Sequence, residues 1–278
     1  MRNINKYLKE FGDFLLVKKG IRKITIDGYK RCVQIVLKRI GKSKPRRKHI
    51  KNYMIWMHGQ DYSYSHLHNT SLALEWYMKF LKRPLKLGRQ SKPKTIVKDT
   101  LTEAEITRIL FNCKSIREQA IIGLLAYSGI RNLELCNLRV GNLDLAQHIV
   151  LISQGKGAKD RMVYISSSCV NVLQEYLLRY PRKIEDFLFT TLIKGNKYHT
   201  FDLRKLIKTV SQRAKVEKRA YPHLFRHSLA VNMLKRGADI MQIKNQLGHQ
   251  FLDTTMIYLR SLPYAELNTI DRIFPSYI

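Results

Sequence analysis

Apolar residues recur at helical spacing along nearly the whole chain, and the one place where that period changes constrains the fold most. HIVLIS (148–153) and RMVYIS (161–166) are short β-branched runs separated by the Gly- and Lys-rich QGKGAKD, a pattern that specifies a β-hairpin. Before it, Tyr7, Leu8, Phe11, Phe14 and Leu15 share one helical face, and Ile26, Tyr29, Val33, Val36, Leu37 and Ile40 share another. Gly20, Gly41 and Gly59 stand where such patterns stop, as helix C-terminal glycines do. Four helices are expected by residue 83 or so. Thr102 with Glu105 and Ser115 with Glu118 form capping-box pairs, so two further helices start there and the second ends at Gly129. Helical patterns resume over 170–180 and 203–210 and continue with short breaks at Gly237 and Gly248. The expected class is mainly α with a small β-hairpin or sheet (α+β).

Within 88–98, GRQSKPKTIVK, there are one proline, four basic residues and no acid, which reads as an extended linker. It divides a helical unit, 1–88, from a second domain, 99–278, with 89–98 between them. A chain of 278 residues with 45% hydrophobic content supplies a core for each. Charge is uneven: residues 1–98 carry 25 Lys+Arg against 5 Asp+Glu, whereas 99–278 carry 26 against 16. A net charge of +30 points to a polyanionic partner. No apolar run approaches the roughly 18 residues of a membrane span, and MRNINKYLKEFGDF lacks the apolar core of a signal peptide. Cys32, Cys113, Cys136 and Cys169 lie tens of residues apart with no zinc spacing, which suits a reducing compartment. The working class is a cytoplasmic DNA-binding protein with no membrane partner, and a DNA-acting protein of this kind is expected to be nucleoid-associated.

Breaking a phosphodiester takes an in-line nucleophile, cationic donors on the non-bridging oxygens and a proton for the leaving oxygen. His223 and Arg226 in PHLFRHSLA lie three apart at a helix start, where Pro222 suits the first turn. Such a pair alone is more often a solvated or capping pair. His223 and His227 have a metal-compatible spacing, but the catalytic Glu of a zinc-protease helix is missing and no third ligand is evident. Arg131 follows the helix-ending Gly129 and can clamp an oxyanion bidentately, or simply pair on the surface with Glu134. Lys156 opens the hairpin turn, with Lys159 and Arg161 beside it. That turn reads equally as a proton donor reaching into a groove and as a basic loop on a DNA backbone. His249 follows Gly248, and Tyr258 falls in a following helix that Asp253 or Thr254 can cap. Any one of 15 tyrosines is by itself more often packing than nucleophile.

Taken in order, SGIRNLEL, GKGAKDR, HLFRHSLA, LGH and TTMIY resemble the signature of the tyrosine recombinase, or phage integrase, family, and most of all its Xer-type members. The resemblance spans 99–278, while 1–88 matches the family's core-binding domain in character and size. It implies that Arg131 and Arg226 grip the scissile phosphate, Lys156 is the general acid, His223 and His249 assist, Tyr258 is the nucleophile and Glu134 holds local structure. It also implies a 3′-phosphotyrosyl intermediate, with no cofactor, ATP or metal ion, and a tetramer on double-stranded DNA that works through a Holliday junction. One departure is that Leu259 and Arg260 follow Tyr258, where many relatives carry a histidine two residues on. The apolar stretch after Tyr258 needs a surface to cover, and in relatives such a tail docks on the neighbouring protomer. A type IB topoisomerase and a non-catalytic DNA-binding protein are the competing readings. The target site, the need for accessory proteins, and the choice between integration and chromosome dimer resolution in chromosome segregation stay open.

Overall fold

The computed structural model describes residues 2–88, 99–153, 160–191, 195–248 and 255–256. It divides into two compact units, Met1–Ile96 and Val97–Ile278. Eleven α-helices and one three-stranded sheet are present among the described residues.

Four helices make up the first unit: α1 (Arg2–Lys19), α2 (Lys23–Ile40), α3 (Arg47–His58) and α4 (Tyr64–Phe80). Phe11 and Leu15 of α1, Val33 and Leu37 of α2, Ile50 and Met57 of α3, and Leu74 and Tyr77 of α4 close the core. Phe11 meets Tyr77 edge-on at 5.1 Å, the arrangement that ring quadrupoles favour. The Tyr77 hydroxyl donates to the Ser43 carbonyl at 2.6 Å, which fixes the chain between α2 and α3 and satisfies a buried polar group. Gly41 ends α2 in the left-handed region at φ 72, as the sequence pattern requires. Gly59 ends α3 at φ −81, so that helix closes on ordinary backbone geometry and has no need of a glycine there.

The second unit begins with α5 (Glu103–Phe111), α6 (Ile116–Ser128) and α7 (Asn132–Asn137), followed by a 3₁₀ turn at Val140–Asn142. Next come β1 (Leu143–Asp144), β2 (Ile149–Ile152) and β3 (Arg161–Tyr164). Helices α8 (Ser167–Arg179), α9 (Thr200–Arg213), α10 (Pro222–Lys235) and α11 (Ile240–Leu247) follow. Helix α6 is buried on nearly every side, and packs against both α8 and α10. That placement explains its apolar character without amphipathic period. The sheet is antiparallel in the order β1-β2-β3, with Ile149 opposite Tyr164 and Ile152 opposite Arg161. Val150, Ile152 and Val163 face the core, while Leu151 and Tyr164 face out. The hairpin expected at 148–166 is therefore present, with the short β1 added to it.

Thr102 and Glu105 form the reciprocal box that caps α5, at 3.2 and 2.7 Å. At α6 only half of the expected box forms. The Ser115 hydroxyl accepts from the Glu118 N–H at 3.2 Å, but the Glu118 carboxylate takes the Lys114 N–H and the Arg213 guanidinium. A charged donor from α9 competes successfully for it.

Candidate active site

Helix α6 ends at Gly129, φ 63. A Cβ there would lie 2.7 Å from Leu247 Cδ2 and 3.0 Å from Leu229 Cδ2, so glycine serves both the turn and the close approach of α10 and α11. Ile130 is fully buried and anchors the step into α7, whose N-cap residue is Arg131. Glu134 accepts the Arg131 N–H at 2.8 Å through Oε2 and Arg131 Nη1 at 2.7 Å through Oε1. Arg131 Nη2 donates to the Gly248 carbonyl at 3.2 Å. Thus the pairing with Glu134 that a surface arginine would make and a fixed, aimed guanidinium coexist in one side chain.

Helix α10 starts at Pro222 in its first turn. His223 is exposed at its mouth, and Arg226, three residues on, is 5% exposed. Arg226 Nη1 donates to the Gly129 carbonyl at 2.6 Å and Nη2 to the Leu247 carbonyl. These carbonyls belong to the C-terminal ends of α6 and α11, where helices leave acceptors without intrahelical partners and carry partial negative charge. One buried cation therefore caps two helices and draws their ends together. Beside it, Gly248 ends α11 at φ 62 and offers its carbonyl to Arg131. The structure thus brings Arg131 and Arg226 to adjacent residues of one helix end.

Arg161 is the residue whose place the sequence did not disclose. Beside Lys156 and Lys159 it reads as part of a basic loop, but it starts β3, and its side chain is only 10% exposed. Nη1 and Nη2 clamp Glu134 Oε1 and Oε2 at 2.9 and 2.7 Å. A Cβ on Gly248 would fall 2.2 Å from Arg161 Cδ, so the arginine lies directly against the end of α11. Burial alone raises the Glu134 carboxyl, but hydrogen bonds from Arg161 and from the backbone and side chain of Arg131 outweigh it and hold the group at about 2. Glu134 stays ionised between the two guanidiniums. Lys156, His249 and Tyr258 lie outside the described residues, as do Asp253 and Thr254. From the TTMIY motif, Thr255 is fully buried and Met256 is exposed.

Among the described residues no group of three His, Cys, Asp or Glu side chains is disposed to hold a metal ion, and no helix is long and apolar enough to cross a membrane. The four cysteines are free thiols. The profile of the phage integrase family matches residues 99–264. A tyrosine recombinase XerA of Pyrococcus furiosus is 31% identical over 92% of this chain and 90% of its own length. The crystal structure of a XerA recombinase is 29% identical, covers 99% of this chain and all of its own, and superposes with a TM-score of 0.59. A XerH site-specific recombinase bound to its difH substrate before cleavage shares the fold at TM-score 0.69, with 20% identity over 85% of this chain and 77% of that one.

Proposed function

Because the chain belongs to the phage integrase family and is a tyrosine site-specific recombinase, we propose that it cleaves and rejoins double-stranded DNA through a covalent bond to Tyr258. The Tyr258 oxygen attacks phosphorus, the P–O5′ bond breaks, and a 3′-phosphotyrosyl ester forms. The 5′ oxygen leaves with a proton from Lys156. Arg131 and Arg226 neutralise the charge that builds on the non-bridging oxygens, with His223 and His249 assisting. Rejoining is the same step reversed, with another strand's 5′-hydroxyl as the attacker. Two duplexes cut twice each require four protomers, so the working form is a tetramer that passes through a Holliday junction. The basic first unit binds duplex phosphates in the role of a core-binding domain.

The observation that carries this reading is the convergence of Arg131 and Arg226 on consecutive carbonyls, Gly248 and Leu247, at the end of α11. His249 is the next residue in the chain. Guanidiniums fixed this way need no rearrangement when charge develops. Tyr258→Phe tests it on a nicked substrate: DNA binding should be retained, and the denaturation-resistant protein–DNA adduct should vanish. An adduct formed by the phenylalanine variant refutes Tyr258 as the nucleophile.

A further inference from the structure

We propose that Gln246 is a positioning residue that holds the hairpin strand leading from Lys156 in register with the two arginines. The inference rests on the role given to Lys156 above.

Strand β3 is an edge strand of the sheet. The Ile165 N–H is used on the His148 carbonyl at 2.9 Å. By the alternation of an antiparallel ladder, the N–H and C=O of Tyr164 therefore face away from β2, at the open edge. Gln246 of α11 closes that edge. Its Oε1 accepts the Tyr164 N–H at 3.0 Å, and its Nε2 donates to the Tyr164 carbonyl at 2.8 Å. The amide thus does for β3 what the peptide of a neighbouring strand does. The same Nε2 reaches the Ser128 carbonyl at 3.4 Å.

The position of this amide in the chain gives it its reach. Ser128 directly precedes Gly129, whose carbonyl accepts from Arg226. Gln246 directly precedes Leu247 and Gly248, whose carbonyls accept from Arg226 and Arg131. One side chain, 9% exposed, therefore ties β3 to the two helix ends from which both arginines hang. Arg161 anchors the other end of β3 to Glu134, so the strand that follows Lys156 in the chain is fixed at both ends. Only a neutral amide meets the demand for one acceptor and two donors. A carboxylate has no donor to offer, and an apolar isostere leaves the Tyr164 groups without Gln246.

Full-length Gln246→Met and Gln246→Asn, alongside Lys156→Ala and Arg131→Ala, test this on two nicked substrates. One carries the ordinary scissile phosphate and the other a bridging sulfur in place of the leaving 5′ oxygen, which departs without a proton. Both Gln246 variants should bind DNA within about twofold of the parent and cleave the ordinary substrate roughly tenfold to a hundredfold more slowly, the range for displacing a reacting group by up to an ångström. The sulfur substrate should restore most of that loss, as for Lys156→Ala, and leave Arg131→Ala slow. Equal slowing on both substrates while Lys156→Ala is rescued, or normal cleavage of the ordinary one, overturns the inference. Failure of the sulfur substrate to rescue Lys156→Ala refutes Lys156 as the donor, and the inference, which rests on that role, falls with it.

Discussion

Replacing Glu134 by Gln removes the one charge shared by Arg131 and Arg161, and the structure sets the size of the effect. The carboxyl is held at about 2, against an ordinary 4.5, by hydrogen bonds that overcome its burial, which corresponds to about 3 kcal/mol in favour of the charged form in the folded state. Its side chain is 13% exposed, so solvent screens little of this. Because the folded value is depressed, the stabilisation is fully present above pH 4.5 and is lost as pH falls toward 2. Glu134→Gln should therefore cost about 3 kcal/mol at pH 7, or roughly 6–12 °C in melting temperature for a domain of this size. The penalty should shrink steadily below pH 4.5 and vanish near pH 2. Urea unfolding followed by circular dichroism at several pH values measures it. Fluorescence supplies a reference trace, because Trp56 and Trp76, the chain's two tryptophans, both belong to the first unit. A loss under about 1 kcal/mol at pH 7, or one that does not depend on pH, refutes the shared-carboxylate account.

Arg131→Ala and Arg226→Ala should each slow cleavage at least about a hundredfold, the scale for one preorganised oxyanion donor, and Lys should rescue neither. Arg226→Ala should also cost stability, by about 3 kcal/mol or more, because two helix ends lose a buried charged donor, whereas Arg131→Ala, which leaves Glu134 its Arg161 partner, should cost less. Single-turnover cleavage and thermal melting separate the two effects. Gly129→Ala places a Cβ at φ 63 and 2.7 Å from Leu247, so a loss of about 1–3 kcal/mol is expected. Cleavage should fall further than DNA binding, as titrations against the same nicked site will show.

What could be read from the sequence was local. Thr102 with Glu105, Gly41, Gly129 and Gly248 announce helix ends because capping and left-handed backbone are settled within a few residues, and the hairpin announces itself by its change of period. Strand β1 is not legible in the sequence, because two residues carry no period. Only half of the Ser115–Glu118 box forms, because Arg213, 95 residues away, takes the carboxylate. The same limit governs the site. Arg131, His223 and Arg226 were recognisable in order along the chain, but that Arg226 is buried against two helix ends was not. Nor was it legible that Arg161, 27 residues from Glu134, leaves the basic loop to become its partner, or that Gln246 completes a sheet edge 82 residues upstream. These assignments depend on tertiary contacts, which periodicity does not encode.

The position of α11 near the end of the chain also sets when activity can arise. The bonds that tie it to Arg131, Ser128 and Tyr164 span 82 to 118 residues, and none can form before Gln246 has been made. At about 5–20 residues per second, translation needs on the order of ten to thirty seconds to pass from the end of the first unit to Gly248. During that interval a nascent chain already carries its strongly basic first unit, yet neither arginine has its α11 acceptor. The order of synthesis thus separates the appearance of the basic unit from completion of the arginine pair, and a chain cut short before α11 carries the first without the second.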